Sequence, residues 1–206
     1  MTTQFTNVAD IVVKRLGRVE YQPTLEAMRR FTRGRTDGTA DELWLLEHPP
    51  VYTLGQGATP VSVSNGIPVV AADRGGEVTF HGPGQVVLYT LVDLARRSIK
   101  VKPFVALLEQ AMIDLIGSRA ARRAGAPGVY VDGAKVAALG IRVIKGRAYH
   151  GVALNVDMDL SPFSAIDPCG YPGLAVTQTR ALGLVDSPSA MGEKLAARVI
   201  HHLEHA

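Results

Sequence analysis

Residues 128–156, GVYVDGAKVAALGIRVIKGRAYHGVALNV, decide the fold. Three runs of strand-forming residues follow one another there, at 128–132, 136–144 and 148–156. The dipeptides Asp132-Gly133 and Lys145-Gly146 separate them, and both are typical of hairpin turns. Successive hairpins pair their strands antiparallel, which a regular parallel sheet of alternating strands and helices does not accommodate. The sequence therefore predicts the α+β class, with a mixed, mostly antiparallel sheet.

The rest of the chain alternates strand and helix signals, with no internal repeat and no long linker. Further strands are predicted at residues 10–19, 42–47, 51–54, 68–71 and 85–91, the last two as buried strands. Helices are predicted at residues 23–33, 103–116 and 187–206, because apolar side chains recur there at helical spacing. A chain of 206 residues with 47% hydrophobic content is expected to form one domain over 1–206, with helices flanking the sheet.

Composition excludes several functional classes. No apolar run approaches the roughly 18 residues of a membrane span, and the N-terminus lacks a signal-peptide layout, so we expect a soluble, cytoplasmic protein with no membrane partner. A single cysteine forms no internal disulfide and no multi-cysteine zinc site. The basic residues are clustered, but no nucleic-acid-binding motif accompanies them, so we expect no nucleic-acid partner. The clusters are either solvated faces or surfaces that attract acidic partners.

The single cysteine and one lysine are the strongest catalytic candidates. Cys169 lies in the tight-turn string 167–171, DPCGY, and Lys135 lies at the start of a predicted strand. A thiol is a good nucleophile only as the thiolate, and a nearby ammonium group favours that form. The pair therefore suggests acyl transfer through a thioester. The alternatives are a small buried hydrophobe for Cys169 and a solvated strand end for Lys135.

A glycine-rich segment at residues 74–85, RGGEVTFHGPGQ, is the second candidate. Glycine permits close backbone approach, so this segment can wrap a ligand with its amides, although it matches neither phosphate-binding nor dinucleotide-binding loops. The alternative is a pair of tight turns around a short strand.

The histidines are assigned less specific roles. His81 either orients the thiol, donates to an oxyanion or moves a proton, or else it is a turn histidine hydrogen-bonded to backbone. His150 is expected to shape a pocket, and His48 to be structural. No histidine shows paired metal-ligand spacing, so we predict no metal and no cofactor.

Five segments together resemble the lipoyl(octanoyl) transferase family, in its order and spacing. They are HPPVYTLG at 48–55, RGGEVTFHGPGQ at 74–85, GAKVAALGIR at 133–142, YHGVALNVD at 149–157 and DPCGY at 167–171, the last followed by Thr177. Three departures are mild: Phe80 stands where the family commonly has tyrosine, Val136 where isoleucine is common, and Ala138 where serine is frequent. A polar role at position 80 is therefore in doubt.

The resemblance implies a fold similar to the catalytic domains of lipoate and biotin protein ligases. It implies transfer of an octanoyl group from acyl carrier protein to a lysine amine on lipoyl domains, such as those of 2-oxoacid dehydrogenases or the glycine-cleavage H protein. It also implies a Cys/Lys dyad, in which Cys169 accepts the acyl group and Lys135 activates it. The residues that match substrate-binding motifs are Arg74, Gly75, Gly76, Glu77, Val78, Thr79, Phe80, His81, Ala138, Leu139, Gly140, Gly151, Val152 and Ala153.

An octanoyl chain needs an apolar tunnel. We expect residues 136–139, 151–154 and Val78 to line it, with Gly140 and Gly151 leaving room for the chain. Two other functions fit the sequence: a lipoate or biotin ligase that makes an acyl-adenylate with ATP and magnesium, and a non-catalytic carrier-protein binder or acyl sensor.

Overall fold

The computed structural model describes residues 11–59, 61, 63–166 and 173–206. Its strands are β1 Ile11–Arg18, β2 Asp41–Glu47, β3 Val51–Leu54, β4 Val69–Ala71, β5 Val78–His81, β6 Gln85–Leu91, β7 Ala120–Arg122, β8 Gly128–Val131, β9 Ala134–Ile144 and β10 Arg147–Asn155. Its α-helices are α1 Tyr21–Gly34, α2 Val101–Ile116 and α3 Pro188–Glu204. Short 3-10 turns lie at Ser161–Ala165 and Thr179–Leu182.

The larger sheet confirms the predicted fold class. Its strand order is β1-β2-β6-β10-β9-β8-β7, and of these neighbours β1 and β2 pair parallel while the others pair antiparallel. Both predicted hairpin turns are present. Asp132 and Lys145 each have a φ of 50°, and the glycines that follow them have φ of 84° and 76°. Two successive positive φ values are what a two-residue turn between twisted antiparallel strands requires.

Alternating side chains give the larger sheet two apolar faces. On β2, Leu43 and Leu45 belong to the core that contains the buried faces of α2 and α3. Trp44 and Leu46 point the other way, into the core that contains α1. Strands β6 and β10 divide their residues in the same manner, because successive residues of a strand face opposite sides of the sheet. The sheet is therefore covered by helices on both faces, as predicted.

A smaller sheet of order β4-β3-β5 lies on the α1 side of the larger one. The His81 ring at the end of β5 stacks on Tyr21 of α1, with ring centroids 6.0 Å apart. The amide of Gly75 donates a hydrogen bond of 2.9 Å to the carbonyl of Ile141 on β9. These contacts hold the glycine-rich segment above one face of the larger sheet.

Three details of the sequence prediction differ from the structure. Strands β5 and β7 were not predicted, because glycine and arginine respectively mask their short strand signals. The strand at 69–71 was expected to be buried, and this is wrong: Val69 is 38% exposed, since β4 is an edge strand that pairs only with β3. Strand β5 is the short strand that the alternative interpretation of residues 74–85, a pair of tight turns around a short strand, contained.

Among the described residues, none of the helices is long and apolar enough to cross a membrane.

A buried carboxylate ties the start of β2 to the chain after β6. Asp41 is 0% exposed and accepts hydrogen bonds from Arg35, from Arg96 at 2.8 Å, from Arg97 at 2.6 Å and from the amide of Asp93 at 2.8 Å. Burial raises the pKa of Asp41, but the Asp93 amide and the arginines outweigh burial, so its pKa lies below the usual value. The carboxylate is thus ionised wherever the protein is folded at ordinary pH.

Asp41→Asn is expected to lower the free energy of unfolding by about 3–5 kcal/mol, because it leaves buried guanidinium groups without their counter-charge. The contribution of Asp41 is complete above its unfolded pKa near 4 and is lost as the pH falls toward its lower folded pKa. Urea denaturation at pH 7 and about pH 3 measures both effects. The control is Asp186→Asn, which breaks an exposed pair with Lys194 and should cost less than about 1 kcal/mol. Equal losses in the two variants would contradict this account.

Candidate active site

A cavity lies between the glycine-rich segment, α1 and one face of the larger sheet. The centre of a water molecule can occupy about 50 Å³ of it, and its total empty space, open mouth included, is about 500 Å³. Its lining residues are Tyr21, Arg74, Gly76, Glu77, Val78, Thr79, His81, Val87, Tyr89, Ala138, Leu139, Gly140, His150, Gly151, Val152 and Ala153. The cavity is thus a narrow slot with mixed apolar and polar walls.

The predicted substrate-binding residues all line this cavity except Gly75 and Phe80. Phe80 packs into a separate apolar cluster, with its ring centroid 5.4 Å from that of Tyr52 and 5.5 Å from that of Phe163. That environment suits phenylalanine without a hydroxyl group. Three further lining residues, Tyr21, Val87 and Tyr89, were missed, because nothing in their local sequence distinguishes them from ordinary core.

Arg74 organises the loop that forms one wall. Its buried guanidinium group donates to the carbonyl of Thr53 at 2.6 Å, to the Thr53 hydroxyl at 2.8 Å, and to the carbonyls of Gly75 and Glu77 at 3.1 and 2.9 Å. Several backbone carbonyls of a sharply turning loop are satisfied by this one side chain. The Arg74 side chain therefore fixes the shape of the wall that it also lines.

His81 is a buried, neutral side chain. The amide nitrogen of Gln85 donates to the Phe80 carbonyl at 3.2 Å and to Asn155 Oδ1 at 2.9 Å, so Gln85 Oε1 accepts, and His81 Nδ1 donates to it at 2.7 Å. Burial, with smaller effects from His48 and Arg74, lowers the pKa of His81 to about 3. Neither predicted role describes this site fully: the partner of Nδ1 is a side chain and not the backbone.

His48 is placed as expected. One ring nitrogen lies 2.6 Å from the carbonyl of Val19 and the other lies 2.7 Å from the Tyr89 hydroxyl. Burial lowers the pKa of His48 to about 4. The ring therefore links α1, β2 and β6 as a neutral, structural group.

His150 lines the cavity, as predicted, and is held by a residue that sequence analysis missed. Asp73 accepts from His150 Nε2 at 2.8 Å, from the Tyr149 hydroxyl at 2.6 Å and from Arg29 Nε at 2.9 Å. These bonds outweigh burial and hold the pKa of Asp73 well below its usual value, while burial lowers the pKa of His150. The φ of His150 is 64°, an uncommon conformation for a side chain of this size inside a strand.

Gly140 and Gly151 do not leave room for an acyl chain in the way expected. A Cβ on Gly140 would come within 2.9 Å of the Gly75 carbonyl oxygen, and one on Gly151 within 2.1 Å of the Leu88 carbonyl oxygen. Both glycines therefore permit close backbone approach, of the glycine-rich segment to β9 and of β6 to β10. Their effect on the cavity is to bring its walls together.

Lys135 lies in a second, smaller cavity beside the first. Lys135 is only 4% exposed. The two cavities share Thr79 and Ala138 as lining residues. Lys135 Nζ donates to the carbonyl of Pro127 at 2.9 Å and lies 5.4 Å from the centroid of the Tyr130 ring. A buried ammonium group at the end of a ligand-sized slot is unusual for a lysine and typical of functional sites. The solvated-strand-end alternative for Lys135 is therefore wrong.

Gly128 makes room for the Lys135 side chain. It has a φ of 129°, and a Cβ there would lie 2.7 Å from Lys135 Cε and 2.5 Å from the Ala137 carbonyl oxygen. Only glycine fits this position without moving the lysine.

The backbone of Lys135 pairs with residues 175–177, which follow Cys169 in the sequence. Lys135 N donates to the carbonyl of Ala175 at 2.8 Å, and Thr177 N donates to the carbonyl of Lys135 at 2.9 Å. Val176, which follows Cys169 in the sequence, and Phe163, which precedes it, line the Lys135 cavity. Cys169 lies outside the residues that the structure describes, so its distance from Lys135 stays a prediction.

Within the described part of the chain, no group of three or more histidine, cysteine, aspartate or glutamate side chains is placed to hold a metal ion.

His81→Asn is expected to flatten the pH dependence of stability. The unfolded chain takes up a proton on His81 below about pH 6.5, and the folded chain does so only near pH 3. The unfolded state therefore binds more protons as the pH falls, and stability declines by up to about 1.4 kcal/mol per pH unit from this residue. Urea denaturation of both proteins between pH 7 and pH 4 measures the slopes. Parallel slopes would show that His81 is not kept neutral by the fold.

Comparison with known proteins agrees with this arrangement. Residues 20–187 match the model of the lipoyl protein ligase A/B catalytic domain. The chain is 64% identical to an octanoyltransferase of Thiobacillus denitrificans over 179 residues, which cover 84% of this chain and 82% of that protein. It is 57% identical to an octanoyltransferase of Dechloromonas aromatica over 198 residues, 94% of this chain and 97% of that protein.

Solved structures share the fold at low sequence identity. A bipartite lipoate protein ligase of Thermoplasma acidophilum superposes with a TM-score of 0.72 at 15% identity, over 96% of this chain and 84% of the other. A biotin protein ligase of Aquifex aeolicus, in complex with biotin and ATP, gives 0.59 at 10% identity, over 94% and 70%. The expected likeness to lipoate and biotin ligase catalytic domains is thus confirmed for the fold. The chain belongs to the lipoyl protein ligase A/B catalytic-domain family, and within it to the octanoyltransferases.

Proposed function

We propose that this protein moves an octanoyl group from acyl carrier protein to a lysine amine of a lipoyl domain, through a thioester on Cys169 that Lys135 helps to form and to break. Lipoyl domains of 2-oxoacid dehydrogenases and the glycine-cleavage H protein are the acceptors. The observation that carries the proposal is the burial of the Lys135 ammonium group beside a ligand-sized slot and against the chain that follows Cys169.

The slot suits an acyl chain. Val78, Val87, Leu139, Val152 and Ala153 supply apolar lining. An octanoyl group carries about six methylenes, and at roughly 0.8 kcal/mol for each one buried it would gain on the order of 5 kcal/mol. Since the two cavities share Thr79 and Ala138, a chain in the slot would place its carbonyl group toward Lys135.

The first half-reaction exchanges one thioester for another. The Cys169 thiolate attacks the octanoyl carbonyl carbon, a carbon–sulfur bond to the enzyme forms, and the bond to the carrier's sulfur breaks. The ammonium group of Lys135 favours the thiolate beforehand and gives a proton to the departing carrier thiolate afterwards. This step leaves Lys135 neutral.

The second half-reaction uses that neutral amine. The acceptor lysine attacks the Cys169 thioester as a free amine, and Lys135 takes the proton that the new amide nitrogen must lose. The enzyme thiolate leaves, which restores the starting thiolate and ammonium pair. Protons and charges therefore balance over the cycle without a metal or nucleotide.

The oxyanion of each tetrahedral intermediate needs hydrogen-bond donors, which glycine-rich backbone would supply. Two candidate amides are already used: Gly75 N donates to the Ile141 carbonyl at 2.9 Å and Gly84 N donates to Glu47 at 2.8 Å. The donors must be sought among other amides around the two cavities.

Incubation with octanoyl-carrier protein should give an enzyme heavier by one octanoyl group in intact-mass spectrometry, and hydroxylamine should remove it. Cys169→Ser should give no adduct. Lys135→Ala should form the adduct at least about a hundredfold more slowly, the scale of a lost acid–base group. Lys102→Ala, which removes an exposed lysine of α2, is the control and should match wild type. An equally fast adduct in Lys135→Ala would remove this lysine from the mechanism.

The same assay separates the two alternatives. An acyl-adenylate ligase would need ATP and would form AMP from free octanoate. A non-catalytic binder would keep its function in Cys169→Ser.

Gly128→Ala should slow adduct formation without preventing folding, because the new methyl group displaces Lys135 Cε from its present position. We expect a loss of ten- to a hundredfold in rate, as for other misplaced catalytic groups. Gly133→Ala is the control for a positive φ, since its Cβ position has open space, whereas a Cβ on Gly128 also lies 2.5 Å from the Ala137 carbonyl oxygen and should lower stability further. Urea denaturation of both variants reports the common backbone cost. Full activity in Gly128→Ala would show that the position of Lys135 is not critical.

A further inference from the structure

Two buried side-chain amides connect the slot to the Lys135 cavity. Gln85 is 1% exposed, Asn155 is 5% exposed, and both line the cavity that contains Lys135. Neither was predicted as a site residue, although Gln85 closes the glycine-rich segment and Asn155 lies in the segment at 149–157.

A chain of four hydrogen bonds runs through these amides in one direction. His81 Nδ1 donates to Gln85 Oε1 at 2.7 Å, and Gln85 Nε2 donates to Asn155 Oδ1 at 2.9 Å. Asn155 Nδ2 then donates to the Thr177 carbonyl at 3.0 Å, and Thr177 N donates to the Lys135 carbonyl at 2.9 Å. The first three bonds are continuous through the two side-chain amides, and such donors strengthen one another in a low-dielectric interior. The fourth begins at a neighbouring peptide group and ties the same residue, Thr177, to Lys135.

Each amide has only one orientation that satisfies its neighbours. Gln85 Nε2 has two acceptors, the Phe80 carbonyl and Asn155 Oδ1, so its oxygen must face His81. Asn155 must then present its oxygen to Gln85 and its nitrogen to Thr177. Reversing Gln85 would place its oxygen against the Phe80 carbonyl oxygen, and reversing Asn155 would place its oxygen against the Thr177 carbonyl oxygen. Buried polar groups would then have no hydrogen-bond partner, which is energetically costly. The chain of bonds is therefore a rigid connection and not a fluctuating one.

The far end of this connection is the strand-like contact between Lys135 and residues 175–177. That contact is an isolated bridge between Lys135 and Val176, with two backbone hydrogen bonds and no longer ladder around it. A bridge of this kind is weak by itself, and Asn155 adds a third bond to the same segment. The segment begins its pairing six residues after Cys169 in the sequence.

We propose that Asn155, oriented by Gln85, is a positioning residue that fixes the chain after Cys169 against Lys135 and so sets the thiol within reach of the ammonium group. This inference rests on the proposed Cys169–Lys135 chemistry and adds the residues that align it. His81 gives the connection its anchor at the wall of the acyl slot.

The test is the pH dependence of Cys169 alkylation by iodoacetamide, measured without any acyl donor. A lysine-paired thiol reacts as the thiolate at lower pH than a free thiol, whose pKa is about 8.5. In Asn155→Ala the reaction midpoint should move up by about one pH unit toward the free-thiol value, and the rate of octanoyl adduct formation should fall about tenfold or more. A purely structural loss would lower stability without moving the midpoint of the folded protein.

Gln85→Met is the second variant, since methionine is close in size but neither orients Asn155 nor binds His81. Its midpoint should move in the same direction by a smaller amount, and the double variant with Asn155→Ala should add little more, because both changes break one connection. Gln22→Ala is the control: Gln22 is an exposed amide of α1 that donates to Glu26 at 3.2 Å, and its midpoint should equal that of wild type.

The outcomes distinguish this inference from the proposed function. A wild-type midpoint near that of a free thiol, together with no octanoyl adduct, would overturn both. A low wild-type midpoint that is unchanged in Asn155→Ala and Gln85→Met would overturn the positioning role alone. Additive shifts in the double variant would show that the two amides do not act through one connection.

Discussion

The antiparallel pairing of β9 with β10 is the constraint on which the rest of the site depends. Its register sets Gly140 opposite Gly151 and Ala138 opposite Ala153, so the two strands form one wall of the acyl slot. The same pairing brings the start of β9, which carries Lys135, beside the end of β10, which carries Asn155. Because side chains alternate across a sheet, a slip of one residue would turn the whole wall to the opposite face.

Burial governs the chemistry of the site, and it acts differently on each titratable group. Arg74 and Lys135 are buried but donate to backbone carbonyls, Arg74 to its own loop and Lys135 to Pro127. For the histidines burial prevails: it lowers the pKa of His48 to about 4, despite the bond to the Val19 carbonyl, and the pKa of His81 to about 3. The polar lining of the slot therefore combines a neutral His81 ring with the side chains of Arg74 and Glu77, while valine, leucine and alanine side chains supply its apolar lining.

Glycine has two separate purposes in this protein. In the β-hairpins it supplies the positive φ that a two-residue turn requires, which local sequence reveals. At Gly128, Gly140 and Gly151 it avoids a steric clash. A Cβ atom at any of these positions would lie less than 3 Å from the Lys135 side chain or from a backbone carbonyl oxygen, well inside ordinary van der Waals contact. The contacts of Gly140 and Gly151 join residues more than 60 positions apart, and that of Gly128 depends on how β8 pairs with β9, so local sequence does not show why they are glycines.

The sequence by itself determined the fold class, most strand and helix positions, and the residues that face the slot, since periodicity and turn chemistry are local and the motifs carry a family resemblance. The tertiary structure decided the rest. Tyr21, Asp73, Val87 and Tyr89 reach the site from α1, the loop after β4, and β6, and no local pattern separates them from core residues. The role of Gln85 and Asn155 also depends on bonds between residues 70 positions apart. Hydrogen bonds and close packing are satisfied in three dimensions, and only the folded chain shows which buried polar groups meet.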